Sequence, residues 1–278
     1  MATITAQDIN KLRQLTGSGM MDCKKALTEA EGSIDKAIEL LRKKGQKIAA
    51  ARADRETTEG LALVSVNDQS NYGTIITLSC ETDFVAKNEA FQQVAHQILS
   101  LALSKRPATI EELKQLLIDG ITVEERITEL VGKMGENITL GAYETLSGEV
   151  VVPYLHTGSK LAVLVALQGA KGDQVLAAGK DVAMQIAALH PIAIDKQDVP
   201  TAIVDKELEI AREQAKQDAK TPAMLENIAQ GRVSKFFKDH TLLNQPFVKD
   251  NSLTVAQYLT KVTTGLTVTA FKRVVVGA

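Results

Sequence analysis

Leu61-Ala62-Leu63-Val64-Ser65-Val66 and Thr74-Ile75-Ile76-Thr77-Leu78 are separated by Asn67-Asp68-Gln69-Ser70-Asn71-Tyr72-Gly73, and the reading of this stretch decides the fold. Val, Ile and Thr suit a pleated, half-buried surface, whereas the intervening Asn, Asp, Ser and Gly carry turn chemistry. The stretch therefore predicts a β-hairpin. Downstream the period changes from two to that of a helix: Phe91, Val94, Ala95, Ile98 and Leu101 or Ala102 form one apolar stripe, predicting a helix from Ala86 to Leu103. Two further helices, Ile110 to Ile118 and Val123 to Met134, are expected after Pro107.

The order then repeats. Strands are expected over Ile138 to Thr145, Val150 to Leu155 after a Ser147-Gly148 turn, and Lys160 to Gln168, followed by a helix from Val175 to Leu189. Val94-Ala95-His96-Gln97-Ile98 and Val182-Ala183-Met184-Gln185-Ile186 agree everywhere but the third position, each on the helix after a hairpin. Two related sheet-plus-helix halves follow, and the fold class is α+β with antiparallel sheets.

Upstream, three short helices are predicted over Ala6 to Leu15, Asp22 to Glu29 and Ser33 to Gly45, with Thr16-Gly17-Ser18-Gly19 breaking the first pair. Residues 46–58 read as a charged helical linker. Within 200–238, Val204, Leu208, Ala211 and Ala215 recur at helical spacing, and Leu225, Ile228, Ala229, Arg232, Val233 and Phe236 form a facing stripe. That pattern predicts an antiparallel helical hairpin, turned at Thr221-Pro222 and projecting from the body on its charged surface. The tail from Thr254 holds a short helix and a last strand, Thr267 to Val276. The expected domains are 1–55, 56–140, 141–199 with 239–278, and the hairpin 200–238.

Composition narrows the function. The 278 residues are 45% hydrophobic and 24% charged, typical of a folded soluble protein, with a net charge of −2 that recruits no nucleic acid. The basic run Arg42, Lys43, Lys44, Lys47 suits a helix C-terminus without any ligand. Cys23 and Cys80 form neither a zinc motif nor a disulfide framework, and the N-terminus lacks the charged and apolar regions of a secretory leader. No apolar run is long enough for a membrane span. A cytoplasmic protein is expected.

Catalytic signatures are equally sparse. Gly17-Ser18-Gly19 followed by Lys24-Lys25 lacks the Gly-Lys-Ser/Thr and the preceding strand of a phosphate loop, and His96, His156 and His190 are scattered. No enzyme and no cofactor are expected. The informative segment is Cys80-Glu81-Thr82-Asp83-Phe84-Val85-Ala86-Lys87-Asn88, at the step from strand to long helix. One reading makes Thr82 or Asp83 a helix cap and Phe84 a hydrophobic staple folded onto the core. The corresponding step of the second half, Gly169-Ala170-Lys171-Gly172-Asp173, has no aromatic residue, so the fold does not demand one. With aromatics at only 4%, an exposed Phe calls for a partner.

Three stretches, taken in order, resemble the bacterial elongation factor Ts family: Leu15-Thr16-Gly17-Ser18-Gly19-Met20-Met21-Asp22-Cys23-Lys24-Lys25-Ala26-Leu27, Glu81-Thr82-Asp83-Phe84-Val85-Ala86-Lys87-Asn88, and Asn244-Gln245-Pro246-Phe247-Val248. The resemblance implies an N-terminal ubiquitin-associated-like domain, a two-part α+β core and a protruding helical coiled coil. It further implies a guanine nucleotide exchange factor for elongation factor Tu that intrudes Asp83 and Phe84, flanked by Thr82 and Val85, beside the partner's Mg²⁺ and nucleotide. Arg13, Met20 and Met21 would grip the partner's nucleotide-binding domain, and His156 would add a contact from the core. This chain would touch no nucleotide directly. The family dimerises through the hairpin in some members, so a homodimer and a wholly internal seam are both open. A protein-interaction scaffold, with Asp83-Phe84 as mere cap and staple, is the competing reading, and a small-molecule enzyme is the third.

Overall fold

The computed structural model describes residues 4–216 and 221–277. Thr5 caps α1 (Ala6–Thr16) in a reciprocal box with Asp8, and Gly17, at φ 65°, ends it in the left-handed conformation. Next come α2 (Met20–Glu29) and α3 (Ile34–Arg52), the latter capped by Ser33. Leu12, Cys23, Leu27 and Ala37 close a small core among these helices.

The first half comprises β1 (Glu59–Val66), β2 (Tyr72–Cys80), α4 (Asp83–Ala86), α5 (Glu89–Lys105), α6 (Ile110–Gln115), β3 (Leu117–Ile118), β4 (Ile121–Thr122), α7 (Val123–Met134) and β5 (Ile138–Ser147). β2 is the middle strand of an antiparallel sheet ordered β1-β2-β5, with Leu63 opposite Ile76 and Ile76 opposite Tyr143. The second half comprises β6 (Val150–Leu155), β7 (Leu161–Gln168), α8 (Asp173–Leu189), α9 (Thr201–Ala215), α10 (Pro222–His240), β8 (Pro246–Phe247), β9 (Asp250–Thr254), α11 (Val255–Val262) and β10 (Thr267–Val275). Its sheet, ordered β10-β7-β6, again has the second hairpin strand in the middle. The halves thus share one plan: a hairpin, a helix, an excursion, and a third strand returning to the free edge of the middle strand. Val94, Ala95 and Ile98 are buried in the first core, and Val182, Ala183 and Ile186 in the second, so the five-residue repeat marks equivalent packing faces.

The sheets pack against each other through Ala62, Ile75, Leu146, Val151, Ala162 and Leu164. Gly73 belongs to this contact, because a Cβ there would stand 2.6 Å from Leu164 Cδ2. α5 and α7 cover the opposite face of the first sheet, and α8 and α11 cover that of the second.

Several elements lie differently from their expected places. The helix expected to stop at Gly45 runs on to Arg52, so most of the presumed linker is the last part of α3. Gly45 is there for proximity, not as a breaker: a Cβ on Gly132 of α7 would lie 2.8 Å from Gly45 Cα, and one on Gly45 would lie 3.2 Å from Thr128 O. Ile110 to Ile118 is not one helix: α6 ends at Gln115, Leu116 is extended, and Leu117–Ile118 pair with Ile121–Thr122 across a turn at Asp119 and Gly120 (φ 51° and 86°). The boundary at 140 cuts through β5, whose residues pair with β2 as far as Ser147. The helix expected from Ala86 is split, because Asn88 accepts from the amide of Ala90 (2.9 Å) and starts α5 afresh after the single turn of α4.

α9 and α10 lie against one another through Ala211, Ala229 and Val233, with Leu208 and Phe237 alongside and a two-bond Arg212–Glu226 pair at 3.0 and 3.1 Å. Phe237, not the expected Phe236, closes this seam, while Phe236 sits 4.7 Å from the His240 ring. Residues 217–220, between the two helices in sequence, lie outside those described. Below the pair, buried Gln185 donates to Gln245 Oε1 (3.1 Å) and to the Pro246 carbonyl (3.0 Å) and accepts from the Val248 amide (2.8 Å). The Asn244–Val248 stretch is thereby pinned to α8.

Gly132→Ala should destabilise the protein by about 1–3 kcal/mol through overpacking against backbone, outweighing the gain of about 1 kcal/mol that Ala brings to a helix interior. Urea unfolding measures this, and a variant as stable as the parent would show that the two helices can part without cost.

Candidate functional site

β2 is buried along its whole length and delivers the chain to the surface at Cys80. There burial, with the charges of Glu136 and Glu59 adding to it, pushes the Cys80 thiol up to about 12. Such a thiol is a space-filling group, not a nucleophile. Its Sγ donates to the carbonyl of Thr82 at 3.2 Å, which starts to fix the next residues.

Two dipeptides then brace each other. Glu81 Oε1 accepts from the backbone amide of Asn137 (2.6 Å), and Glu136 Oε2 accepts from that of Thr82 (3.0 Å). Glu136 Oε1 also receives the Thr82 hydroxyl at 2.6 Å, and Glu81 pairs with Arg52 at 2.8 Å. The brace ties the exit of β2 to the corner between α7 and β5, and through Arg52 to the end of α3. The Asn137 amide, followed by Arg52 and Arg55, holds the Glu81 carboxyl below the ordinary carboxylate range.

From this base rises the single turn of α4. Val85 is 8% exposed and Ala86 7%, both packed in the first core, whereas Phe84 is 82% exposed. A residue step of about 100° explains the division, since three consecutive apolar side chains cannot all face one core. Phe84 is no staple. Thr82 occupies the N-cap position without a side-chain bond to the helix, so the expected cap is absent as well. Val85, expected at a partner surface, is buried in the first core. Asp83 pairs with Lys87 one turn on at 2.6 Å, and that hydrogen bond lowers the Asp83 pKa.

The turn between β6 and β7 approaches the same end of the sheet. Ser159 accepts from the Ala62 amide at 2.7 Å, Lys160 pairs with Glu59 at 2.6 Å, and Glu59 stands opposite Cys80 in the β1–β2 register. His156, exposed on this turn, shares a hydrogen bond with Tyr154 Oη at 2.8 Å. The structure thus brings the His156 turn to the strand ends from which Thr82–Phe84 emerge.

Arg13, Met20 and Met21 stand apart on α1 and the first turn of α2, all exposed, with Met20 at 54% and Met21 at 63%. Their unit leans on the body: a Cβ on Gly17 would meet Lys133 Nζ at 2.6 Å, and Thr16 shares a groove with Ala90 and Gln93 of α5. Among the described residues no group of three or more His, Cys, Asp or Glu is placed to hold a metal ion. No described helix is long and apolar enough to cross a membrane.

The fold and the site together define a two-part α+β protein that holds one bare aromatic ring on a braced turn, and the comparisons say to which class it belongs. The family described as "Elongation factor TS" matches residues 81–278. Along nearly their full lengths, the chain is 77% identical to the elongation factor Ts of Amoebophilus asiaticus (99% of each chain) and 51% identical to that of Cytophaga hutchinsonii (99% of each). It is 40% identical to that of Chlorobium phaeobacteroides over the whole of both chains. These similarities place it among the translation elongation factors of protein biosynthesis. The chain belongs to the elongation factor Ts family.

Glu81 should behave as a pH-dependent strut. Its carboxyl is depressed in the folded state, so its contribution is present above the unfolded value of about 4.3 and is lost as pH falls through the lower folded value. The stability gap between parent and Glu81→Gln, read from urea midpoints, should be full at neutral pH and shrink at and below roughly pH 4. A gap constant down to acid pH would mean that the charge carries none of the strut.

Proposed function

We propose that this protein is a guanine nucleotide exchange factor that binds elongation factor Tu and promotes GDP release by inserting Asp83 and Phe84 beside its Mg²⁺ and nucleotide. The observation that carries the reading is Phe84 itself, 82% exposed on a turn whose neighbours are packed in the core. Burying such a ring on docking is worth roughly 1.5–3 kcal/mol. At about 1.4 kcal/mol per decade, that is roughly one to two decades in rate if the gain is realised only against the nucleotide-weakened state. Asp83 adds a carboxylate next to the ring, where it can compete for the partner's metal or for the groups that hold phosphate. Mg²⁺ demands near-octahedral geometry, so a small displacement of its ligands loosens the phosphates.

Coupling makes the effect reciprocal: a factor that favours the nucleotide-free partner must weaken nucleotide by the same free energy with which nucleotide expels the factor. No nucleotide needs to touch this chain, and no cofactor is required of it. The N-terminal helices act as a ubiquitin-associated-like grip on the nucleotide-binding domain through Arg13, Met20 and Met21, whose adaptable thioethers suit a docking surface. His156 contributes from the turn beside the wedge, Thr82 sets the base of α4, and Val85 holds it from within. The α9–α10 pair is a coiled coil whose exposed Ile203 and Ile210, one heptad apart, offer a surface for a second copy of the chain. The protein works in the cytoplasm and is not itself an enzyme.

Release of labelled GDP from elongation factor Tu tests the wedge: Phe84→Ala should slow factor-stimulated release by about 10- to 100-fold with an unchanged melting temperature, since the ring touches little of its own protein. An undiminished rate would reject insertion and favour the scaffold reading. Met20→Ala with Met21→Ala should instead raise the concentration of factor needed for half-maximal release while leaving its thermal stability in place. A loss of stability matching that of a buried Leu12→Ala change would assign the two methionines to the helical core.

A further inference from the structure

The two carboxylates at the base of α4 do different work. Glu81 serves the wider fold, because its oxygens take Arg52, the Asn137 amide and, at 3.9 Å, Arg55. Among the described residues, the Glu136 carboxylate accepts hydrogen bonds from one residue, Thr82, at 3.0 Å from its amide and 2.6 Å from its hydroxyl. Glu136 itself follows Gly135, which ends α7 in the left-handed conformation (φ 72°) with its amide bonded to Val131 O. Its backbone is therefore placed by α7 and β5, independently of α4.

We propose that Glu136 is the positioning residue of the exchange site, setting the direction in which Asp83 and Phe84 leave the core. The inference rests on the exchange reading above. A single helical turn cannot hold its own shape, because nucleation fixes several dihedral angles for one hydrogen bond. The usual local remedy is a Thr side chain accepting from an amide of the first turn. Thr82 stands at that position and does not do so: Glu136 takes its hydroxyl as a donor, turned away from the helix, and takes its amide too. α4 has exchanged a local cap for a long-range anchor. A local cap would fix the turn only to itself, whereas Glu136 fixes it to the corner of α7 and β5.

The functional consequence is preorganisation. Cys80 is buried before Thr82 and Val85 after it, and Glu81 and the Thr82 carbonyl are held by Asn137, Arg52 and Cys80; Glu136 fixes what is left, the Thr82 amide and hydroxyl, before the partner arrives. Without Glu136 the Thr82 hydroxyl is free to turn and cap α4 itself, which re-aims the first turn and the ring it carries. Glu136 touches neither partner nor nucleotide in this role. It acts through Thr82.

Four single variants of the full chain, Glu136→Ala, Glu136→Gln, Thr82→Val and Thr82→Ser, and the double variant Thr82→Val with Glu136→Ala are read in two ways: amide exchange of Ala86, Lys87 and Asn88 in the free protein, and GDP release from elongation factor Tu across factor concentrations. Glu136→Ala should raise amide exchange in α4 by about tenfold or more. It should lower the maximal release rate at saturating factor by about tenfold, with the half-saturating concentration held within about threefold because the Met20 and Met21 grip is intact. Glu136→Gln, which keeps only one acceptor oxygen, should fall between, and Thr82→Ser, which keeps the hydroxyl, should behave as the parent. Thr82→Val combined with Glu136→Ala should be no slower than Glu136→Ala alone, as expected of groups in one interaction. Parent-like amide exchange in Glu136→Ala, or a parent-like maximal rate while Phe84→Ala is slow, overturns the proposal and leaves the wedge standing. An inert Phe84→Ala change removes both. If Glu136→Ala does not fold, Thr82→Val decides by the same two measurements, and a parent-like result there overturns the proposal.

Discussion

Burial of β2 on both faces is the constraint from which the rest follows. Its alternate side chains enter two different cores, Ile76, Leu78 and Cys80 beneath α5 and α7, and Ile75 between the sheets. Its two edges are paired with β1 and β5. A strand held on four sides has no freedom at its end, so the residues after Cys80 start from a fixed point and direction. The brace between Glu81-Thr82 and Glu136-Asn137 carries that rigidity across the last few bonds to Phe84. A ring on a loose loop would have to be ordered at the moment of docking, at a cost of about 0.5–1.5 kcal/mol for each immobilised side chain. Here the ordering has been done by folding.

Local chemistry made much of this legible. Turn residues at Asn67–Asn71, the helical stripe through Phe91 and Ile98, and the repeated Val-Ala-x-Gln-Ile each depend on neighbours within a few positions, although the expected turn runs on through Tyr72 and Gly73, which open β2. Leu116, Leu117 and Ile118 suit a helical stripe as well as a strand, so the end of α6 at Gln115 shows only once Leu117–Ile118 are found paired with Ile121–Thr122. Gly45 shows the opposite error. A glycine in a helix reads as a breaker until the backbone of another helix is known to cross it, and Gly132 lies far away in the chain. Pairing of β5 with β2 and of β10 with β7 is non-local in the same way, so the sequence shows that third strands exist without showing where they return.

The site divides along the same line. That Phe84 is exposed was readable from the comparison of two equivalent junctions, one with an aromatic and one without. Val85 is buried although its neighbour in the motif, Phe84, is exposed, because a one-turn helix sends neighbouring side chains in different directions. Glu136 and Asn137 carried no usable signal: a Glu-Asn pair after a helix-ending glycine is ordinary loop composition. Only the tertiary structure shows that their carboxylate and amide answer those of Glu81 and Thr82. Placement of the His156 turn beside the end of β2 likewise depends on contact between the two sheets, through Ser159 and Ala62.

α3 has two employers. Its first turns, through Ala37, Ile38 and Leu41, close the small core of the opening helices, while Ile48 and Ala49 pack against the first half, and the crossing with α7 lies between. The three-helix unit at the start of the chain is therefore not a bead on a string. Severing the chain near residue 55 and removing the fragment would strip the larger core of two apolar side chains and leave Glu81 without Arg52. One uninterrupted helix therefore belongs to both cores, and unfolding of either part deprives the other of side chains that close it.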